Sequence, residues 1–212
     1  MLENTISQIK KEGSRPTLLL HACCAPCSSY TLEYLASVFD ITVFFFNPNI
    51  SPQQEYKFRL QELSRLIDEM PLPASVKLLE GRYEPQEFYE LAKGREHLPE
   101  GSARCKDCYR LRLAQTADVA RDKGFDYFTT TLSISPYKNA EWLNTIGDEE
   151  GKRVGVSYLF SDFKKKNGYK RSCELSEIYG LYRQDYCGCE FSKKAAEDRK
   201  KQKNNGANAD NG

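Results

Sequence analysis

The 212 residues are enough for one domain with a real core, and the composition is ordinary for a globular chain: 40% hydrophobic, 29% charged, 12% aromatic. A net charge of +1 excludes a polycation, so any nucleic-acid binding must rest on local patches. No run approaches the roughly 18 apolar residues of a membrane span, and the opening MLENTISQIKKEGSRP lacks the apolar stretch of a signal peptide, so a cytoplasmic protein is expected.

Residues 1–16 form an N-terminal extension, after which Thr17–Cys24 (TLLLHACC) reads as a buried strand. Pro26 suits the first turn of a helix that continues through Ser28–Val38. Ile41–Phe46 (ITVFFF) is a second buried strand, closed by Asn47-Pro48-Asn49. Ser51-Pro52 opens a long helix with an apolar stripe of Tyr56, Leu60, Leu63, Leu66 and Ile67, which stops at Met70-Pro71 because a residue before proline resists the helical conformation. Ser75–Leu79 is a third strand, Glu84–Lys93 a short helix ended by Gly94, and Arg95–Arg104 a loop. Cys105–Lys123 reads as a helix closed by Gly124, Tyr127–Leu132 as a strand, Asn139–Glu149 as a helix and Val156–Phe160 as the last strand. Lys170–Tyr182 is helical and leads to Cys187-Gly188-Cys189, and residues 193–212, which lack apolar periodicity, read as a disordered basic tail. Alternating strands and helices, with strands apolar throughout, predict an α/β fold. Its parallel Rossmann-like (HUP-like) sheet is flanked by helices within a single catalytic domain, residues 17–192, whose helical C-terminal part carries the Cys-Gly-Cys segment.

Eight cysteines in a reducing compartment point to metal or redox chemistry, since disulfides are rare there. Cys23 and Cys24 fall at the C-terminal end of the first strand, the edge where open parallel sheets bind ligands and where helix N-terminal amides favour thiolates. Cys105 and Cys108 are a C-x-x-C at a helix start, and positions i and i+3 share a face. Two pairs make four thiolates, the complement for Zn²⁺ or for a cubane cluster. Cys187 and Cys189 are a third pair, too close in sequence for a relaxed disulfide but usable for metal or strained redox chemistry, with Gly188 permitting a tight turn. Cys27 adjoins the first pair and can ligate or line the site, whereas Cys173 sits in a helical stretch where packing explains it equally well.

Five blocks occurring together carry a resemblance: HACCAPCS from His21 to Ser28, FFNPNI from Phe45 to Ile50, RCKDCYRLR from Arg104 to Arg112, TTTLSISPYK from Thr129 to Lys138, and LYRQDYCGC from Leu181 to Cys189. From about Thr17 to Ser192 the chain resembles the epoxyqueuosine reductases of the QueH type. The resemblance implies an oxidoreductase of tRNA processing that performs the last step of queuosine biosynthesis. Such an enzyme removes the epoxide oxygen of epoxyqueuosine at the tRNA wobble position by a two-electron, two-proton reduction. It further implies a [4Fe–4S] cluster with an additional iron nearby, no cobalamin, and an electron donor that the sequence leaves unidentified. Carried over by motif, Cys23, Cys24, Cys105 and Cys108 are the ligand set, with Cys27 a further metal candidate, and Cys187 and Cys189 the second redox or metal pair.

Epoxide opening needs a Lewis acid or proton donor at oxygen, and Tyr137, Asp185, Tyr186 and His21 are candidates for the proton, with His21 better suited to a supporting role. Basic residues near the motifs are the candidate tRNA contacts: Arg104, Arg112, Lys138, Lys164, Lys165, Lys170 and Arg171. Tyr109, Tyr137, Tyr169 and Trp142 are available to stack on unpaired bases. Two rival readings share these residues: a tRNA-thiolating enzyme of the same fold, iron–sulfur or ATP-dependent, and a zinc-stabilised RNA-binding module. The loop after the first strand contains no glycine, so it makes a poor cradle for a nucleotide pyrophosphate.

Overall fold

The computed structural model describes residues 1–209. Five parallel strands form one sheet in the order β3-β2-β1-β4-β5: β1 Thr17–His21, β2 Asp40–Phe45, β3 Lys77–Glu80, β4 Tyr127–Thr130 and β5 Ser157–Tyr158. The helices are α1 Leu2–Glu12, α2 Ala25–Leu35, α3 Gln53–Glu69, α4 Pro85–Ala92, α5 Ala103–Asp122, α6 Ala140–Val154, α7 Gly168–Ile178 and α8 Glu190–Ala209. Among the described residues, no helix is long and apolar enough to cross a membrane.

Strand alternation divides the core into two layers. Leu18 and Leu20 of β1 and Val43 and Phe45 of β2 pack with Ile6 and Ile9 of α1, Leu32 and Leu35 of α2 and Leu63 and Leu66 of α3. Leu19 of β1, Phe44 of β2 and Phe128 of β4 face the other way, onto Leu113 and Ala117 of α5 and Leu143 and Ile146 of α6. Side chains apolar on both faces are what a parallel sheet covered by helices on both sides requires. Each fully buried leucine contributes on the order of 1.5–3 kcal/mol. The N-terminal extension therefore contains a helix whose two isoleucines join the core, and Gly13, at φ 67, closes it in a left-handed turn.

Strand ends differ from the sequence expectation where side chains take over the hydrogen bonding. β1 stops at His21 because Cys24 already caps α2 with Pro26 in its first turn. β4 stops at Thr130, whose hydroxyl accepts the Leu132 N–H and starts a 3-10 turn over Thr131–Ile134. The tail expected from residue 193 continues α8 as far as Ala209, and its last three residues, 210–212, lie outside the described ones. Its first turns are anchored: Ser192 and Ala196 are buried, and the Phe191 ring lies 6.1 Å from Phe88.

The strand order reverses at β1, whose neighbours are β2 and β4. In open α/β sheets the crevice beyond the strand ends at such a point is the ligand site. The first cysteines follow β1 directly at this point.

Candidate metal centre

Cys23, Cys24 and Cys27 stand where β1 hands over to α2, and their sulfurs lie within 4.8 Å of one another. Cys23 Sγ and Cys24 Sγ are 3.7 Å apart. Thiol donors on Cys24 and Cys27 hold the Cys23 thiol well below its ordinary pKa. Sharing protons with Cys23 pushes Cys24 up to about 12 and Cys27 well above the usual thiol range. Cys23 is thus the thiol of the group most disposed to ionise, and a bound metal would take the place of the thiol protons. Cys27, whose part the sequence leaves open, is fully a member of the group.

A second set gathers beside it. Cys105 and Cys108, on the first turns of α5, border a small gap of about 10 Å³ together with Cys187, Cys189, Asn49, Tyr109 and Arg112. Burial pushes Cys108 up to about 12 and raises Cys105, whose sulfur accepts the Gly101 N–H at 3.3 Å. Burial raises Cys189 as well, and its sulfur accepts the Ser192 N–H at 3.4 Å. Cys187 also borders a larger cavity of about 650 Å³, whose lining includes Cys23, Cys24 and Cys27. Seven thiols therefore surround two adjoining spaces, with Cys187 common to both, while Cys173 borders neither. All eight cysteines are free.

Two loops and a histidine hold this arrangement. Asn47 Nδ2 donates to the Ala22 carbonyl at 2.8 Å, tying the end of β2 to the Cys23 loop. Tyr83 Oη donates to the Ile50 carbonyl at 2.7 Å, and the Ser51 N–H donates to the Gly188 carbonyl at 3.0 Å. Gly188 has φ +124, and a Cβ there would meet Ile50 and Arg59 at 3.0 and 3.1 Å, so the chain needs glycine at this turn. His21 is fully buried, and burial lowers its pKa to about 4. A neutral ring follows, with Nε2–H donating to the Phe46 carbonyl at 3.1 Å and Nδ1 accepting from Thr130 Oγ1 at 2.9 Å. That ring straps three strand ends together and has no path to hand a proton to the cavity.

The other candidates sort by exposure and pairing. Tyr137, 79% exposed, lines the larger cavity with Lys138, Tyr169 and Tyr186. Asp185 lines it too, but Lys200 Nζ lies 2.6 Å from its carboxylate and holds its pKa below the ordinary value. That pairing favours the ionised carboxylate and makes Asp185 a weaker proton source than the tyrosines beside it. Arg104 and Arg112, expected at tRNA phosphates, are buried: Arg104 Nη1 donates to the carbonyls of Arg95, Glu96 and Leu98, and Arg112 faces the thiols. Neither guanidinium is open to a phosphate. Lys164 and Lys165 are paired with Asp162, and Arg171 with Glu33 and Glu174, whereas Lys170 is exposed with no ion pair among the described residues. Tyr109 is buried under the thiols, and Trp142 lies on α6 with Lys106 over its ring, away from the cavity lining.

Sequence reasoning overlooked Arg59, Asn49 and Glu100. Arg59 lies one helical turn after Tyr56 on the buried stripe of α3, and a charged residue in that register was the available signal. Glu100, from the loop before α5, borders both spaces.

The family model described as epoxyqueuosine reductase QueH matches residues 18–195. The chain is 46% identical over 187 residues to epoxyqueuosine reductase QueH of Streptococcus pyogenes serotype M1, covering 87% of this chain and 73% of that one. It is 44% identical to that of Staphylococcus epidermidis, over 91% of this chain and 82% of the relative. With the Thermotoga maritima protein of the same name, identity is 37% over 83% of this chain and 90% of the other.

Proposed function

The chain belongs to the epoxyqueuosine reductase QueH family, and from that membership we propose that Cys23, Cys24, Cys105 and Cys108 hold a [4Fe–4S] cluster with an additional iron beside it. The enzyme is an oxidoreductase that carries out the final step of queuosine biosynthesis in tRNA, the reduction of epoxyqueuosine. Support for a metal centre comes from soft thiols at the switch point of the sheet: Cys23, Cys24 and Cys27 lie within 4.8 Å of one another, and Cys105 and Cys108 border the adjoining gap. When bound, the centre would supply Lewis acidity and electrons at the epoxide. Unpaired cysteines on this scale suit a reducing compartment, and we place the protein in the cytoplasm.

The chain's own residues account for the rest of the reaction. Conversion of an epoxide to an alkene and water consumes two electrons and two protons. Oxidation of the Cys187 and Cys189 thiols to a disulfide releases the same two electrons and two protons, and a reductant from outside the chain must then restore the dithiol. The cavity of about 650 Å³ falls in the size range of small-molecule sites and accepts one nucleoside lifted from the anticodon loop. Tyr137 and Tyr169 offer rings for stacking at its wall, and Lys138 and Lys170 offer charge for phosphates. Tyr137, or Tyr186 beside Arg59, is placed to give a proton to the opening oxygen.

A second division of the ligands is favoured by one observation. Cys105, Cys108, Cys187 and Cys189 border the same gap, and the compact Cys23, Cys24 and Cys27 group suits a single ion. Iron and acid-labile sulfide in anaerobically prepared variants separate the two divisions. On the first, Cys187→Ser keeps the cluster and loses turnover, while Cys23→Ser loses both. On the second, Cys187→Ser and Cys189→Ser lose the cluster. Stoichiometric zinc, with no iron and no sulfide in the unmodified protein, would sink both.

A further inference from the structure

A guanidinium is costly to bury unless an anion and enough acceptors surround it. Arg112 is fully buried on α5, on the helix face that carries Cys105 and Cys108. Its Nε donates to the Cys108 carbonyl at 3.3 Å and its Nη1 reaches Asn47 Oδ1 at 3.5 Å, but Nη2 has no acceptor. No carboxylate lies within ion-pair distance of it among the described residues; the gap it borders is lined by Cys105, Cys108, Cys187 and Cys189, with Glu100 and Arg104 also at its wall. Burial opposes its charge, and the nearby sulfurs of Cys108, Cys187 and Cys23 more than offset that.

Two other groups share the predicament. Arg59, 1% exposed, spends Nε on Glu55 at 2.8 Å and Nη1 on the Cys187 carbonyl at 3.2 Å, and its Nη2 is also without a partner. Arg59 borders the larger cavity beside Cys23, Cys24 and Cys187. Asn49, at the gap with Arg112, has no partner for either end of its amide. Buried polar atoms are almost always satisfied, so three orphaned donors around one set of thiols, the Nη2 groups of Arg112 and Arg59 and the Nδ2 of Asn49, point to a shared acceptor of that set. A neutral thiol is a weak acceptor, whereas a metal-bound thiolate or sulfide is anionic and accepts strongly.

We propose that Arg112, seconded by Arg59, is the buried counter-charge of the metal–sulfur centre, its unpaired Nη2 donating to sulfur and its positive charge raising the centre's reduction potential. Net charge and hydrogen bonds to sulfur are among the terms that set such potentials. An electron taken up by such a centre would add negative charge near these guanidinium groups, which would favour the reduced state over the oxidised one. Both arginines are thus positioning residues that act through the centre. The proposal rests on the iron–sulfur reading of the site.

The test is a redox titration of anaerobically reconstituted protein, unmodified and as R112Q, R112K and R59Q, with iron and sulfide measured in each. R112Q with normal iron and sulfide should show at least a tenfold loss in the one-electron reduction equilibrium, a midpoint about 59 mV more negative. R112K, which keeps the charge without the planar fork, should recover part of that shift. Equal midpoints in R112Q and unmodified protein, with intact clusters, would overturn the proposal. Should R112Q fail to hold a cluster, R59Q decides by the same reading: a more negative midpoint supports the proposal and an unchanged one overturns it. Unmodified protein without iron and sulfide would overturn the iron–sulfur reading itself, and that shows before any variant is compared.

Discussion

Asn47 shows how much of the site depends on single polar side chains. It is fully buried, its Nδ2 holds the Ala22 carbonyl at 2.8 Å, and its Oδ1 faces Arg112. Asn47→Ala removes both contacts and leaves a buried carbonyl and a guanidinium short of partners. The expected loss is about 1–3 kcal/mol of stability, read as a lower urea midpoint, together with poorer retention of iron. The sequence places Asn47 only as the end of a strand, because its partners are 25 and 65 residues away. Arg112 carried a stronger signal, sharing with Cys105 and Cys108 the i, i+3, i+7 register of one helix face. Its reading as a phosphate contact failed because charge alone does not say which face of a helix is buried.

At the level of elements, the thiols depend on how strand ends and loops converge. The Cys-Gly-Cys turn is held against the loop after β2 by the Ser51 N–H on the Gly188 carbonyl, and by the close approach of Ile50 to the Gly188 backbone. Gly188→Ala forces a side chain onto a φ of +124 and into contacts near 3 Å. The cost should be about 1–3 kcal/mol, seen as a Tm lowered by several degrees. A variant as stable as the unmodified protein would mean that the turn tolerates a side chain and the thiols are held otherwise. Most elements were legible from the sequence: β1, β2, α3, α4 and α5 stand within a few residues of the predicted spans, since their apolar patterns are strong and Pro or Gly marks their ends. Those misjudged are short or locally capped. β5 is only Ser157–Tyr158, at the sheet edge. The 3-10 turn after β4 follows a Thr130 hydroxyl bond that no periodicity reveals. Spacing in the sequence reveals that Cys27 adjoins Cys23 and Cys24, but not that the C-x-x-C and the Cys-Gly-Cys, about 80 residues apart, border one gap.

Across the whole molecule charge is near balance, and among the described residues most arginines are held in ion pairs while Lys138 stands free of one at the cavity wall. Binding of tRNA at the cavity should therefore draw on Lys138. Lys138→Ala should weaken tRNA binding and reduce the slope of log affinity against log salt by about one. Lys164→Ala should change neither, because Asp162 already pairs that lysine at 2.6 Å. Equal effects from the two would place the tRNA on a different face. The central claim, that the thiol-lined centre reduces epoxyqueuosine in tRNA, is tested most directly by mass analysis of nucleosides. tRNA carrying epoxyqueuosine would be incubated under anaerobic conditions with a chemical reductant and either the reconstituted protein or its Cys105→Ser variant. The account predicts conversion to queuosine, lighter by one oxygen, with the unmodified protein, and at least a hundredfold slower conversion with the variant (about 2.7 kcal/mol of lost transition-state stabilisation). Unchanged epoxyqueuosine with fully loaded protein, or equal conversion by the variant, would contradict it.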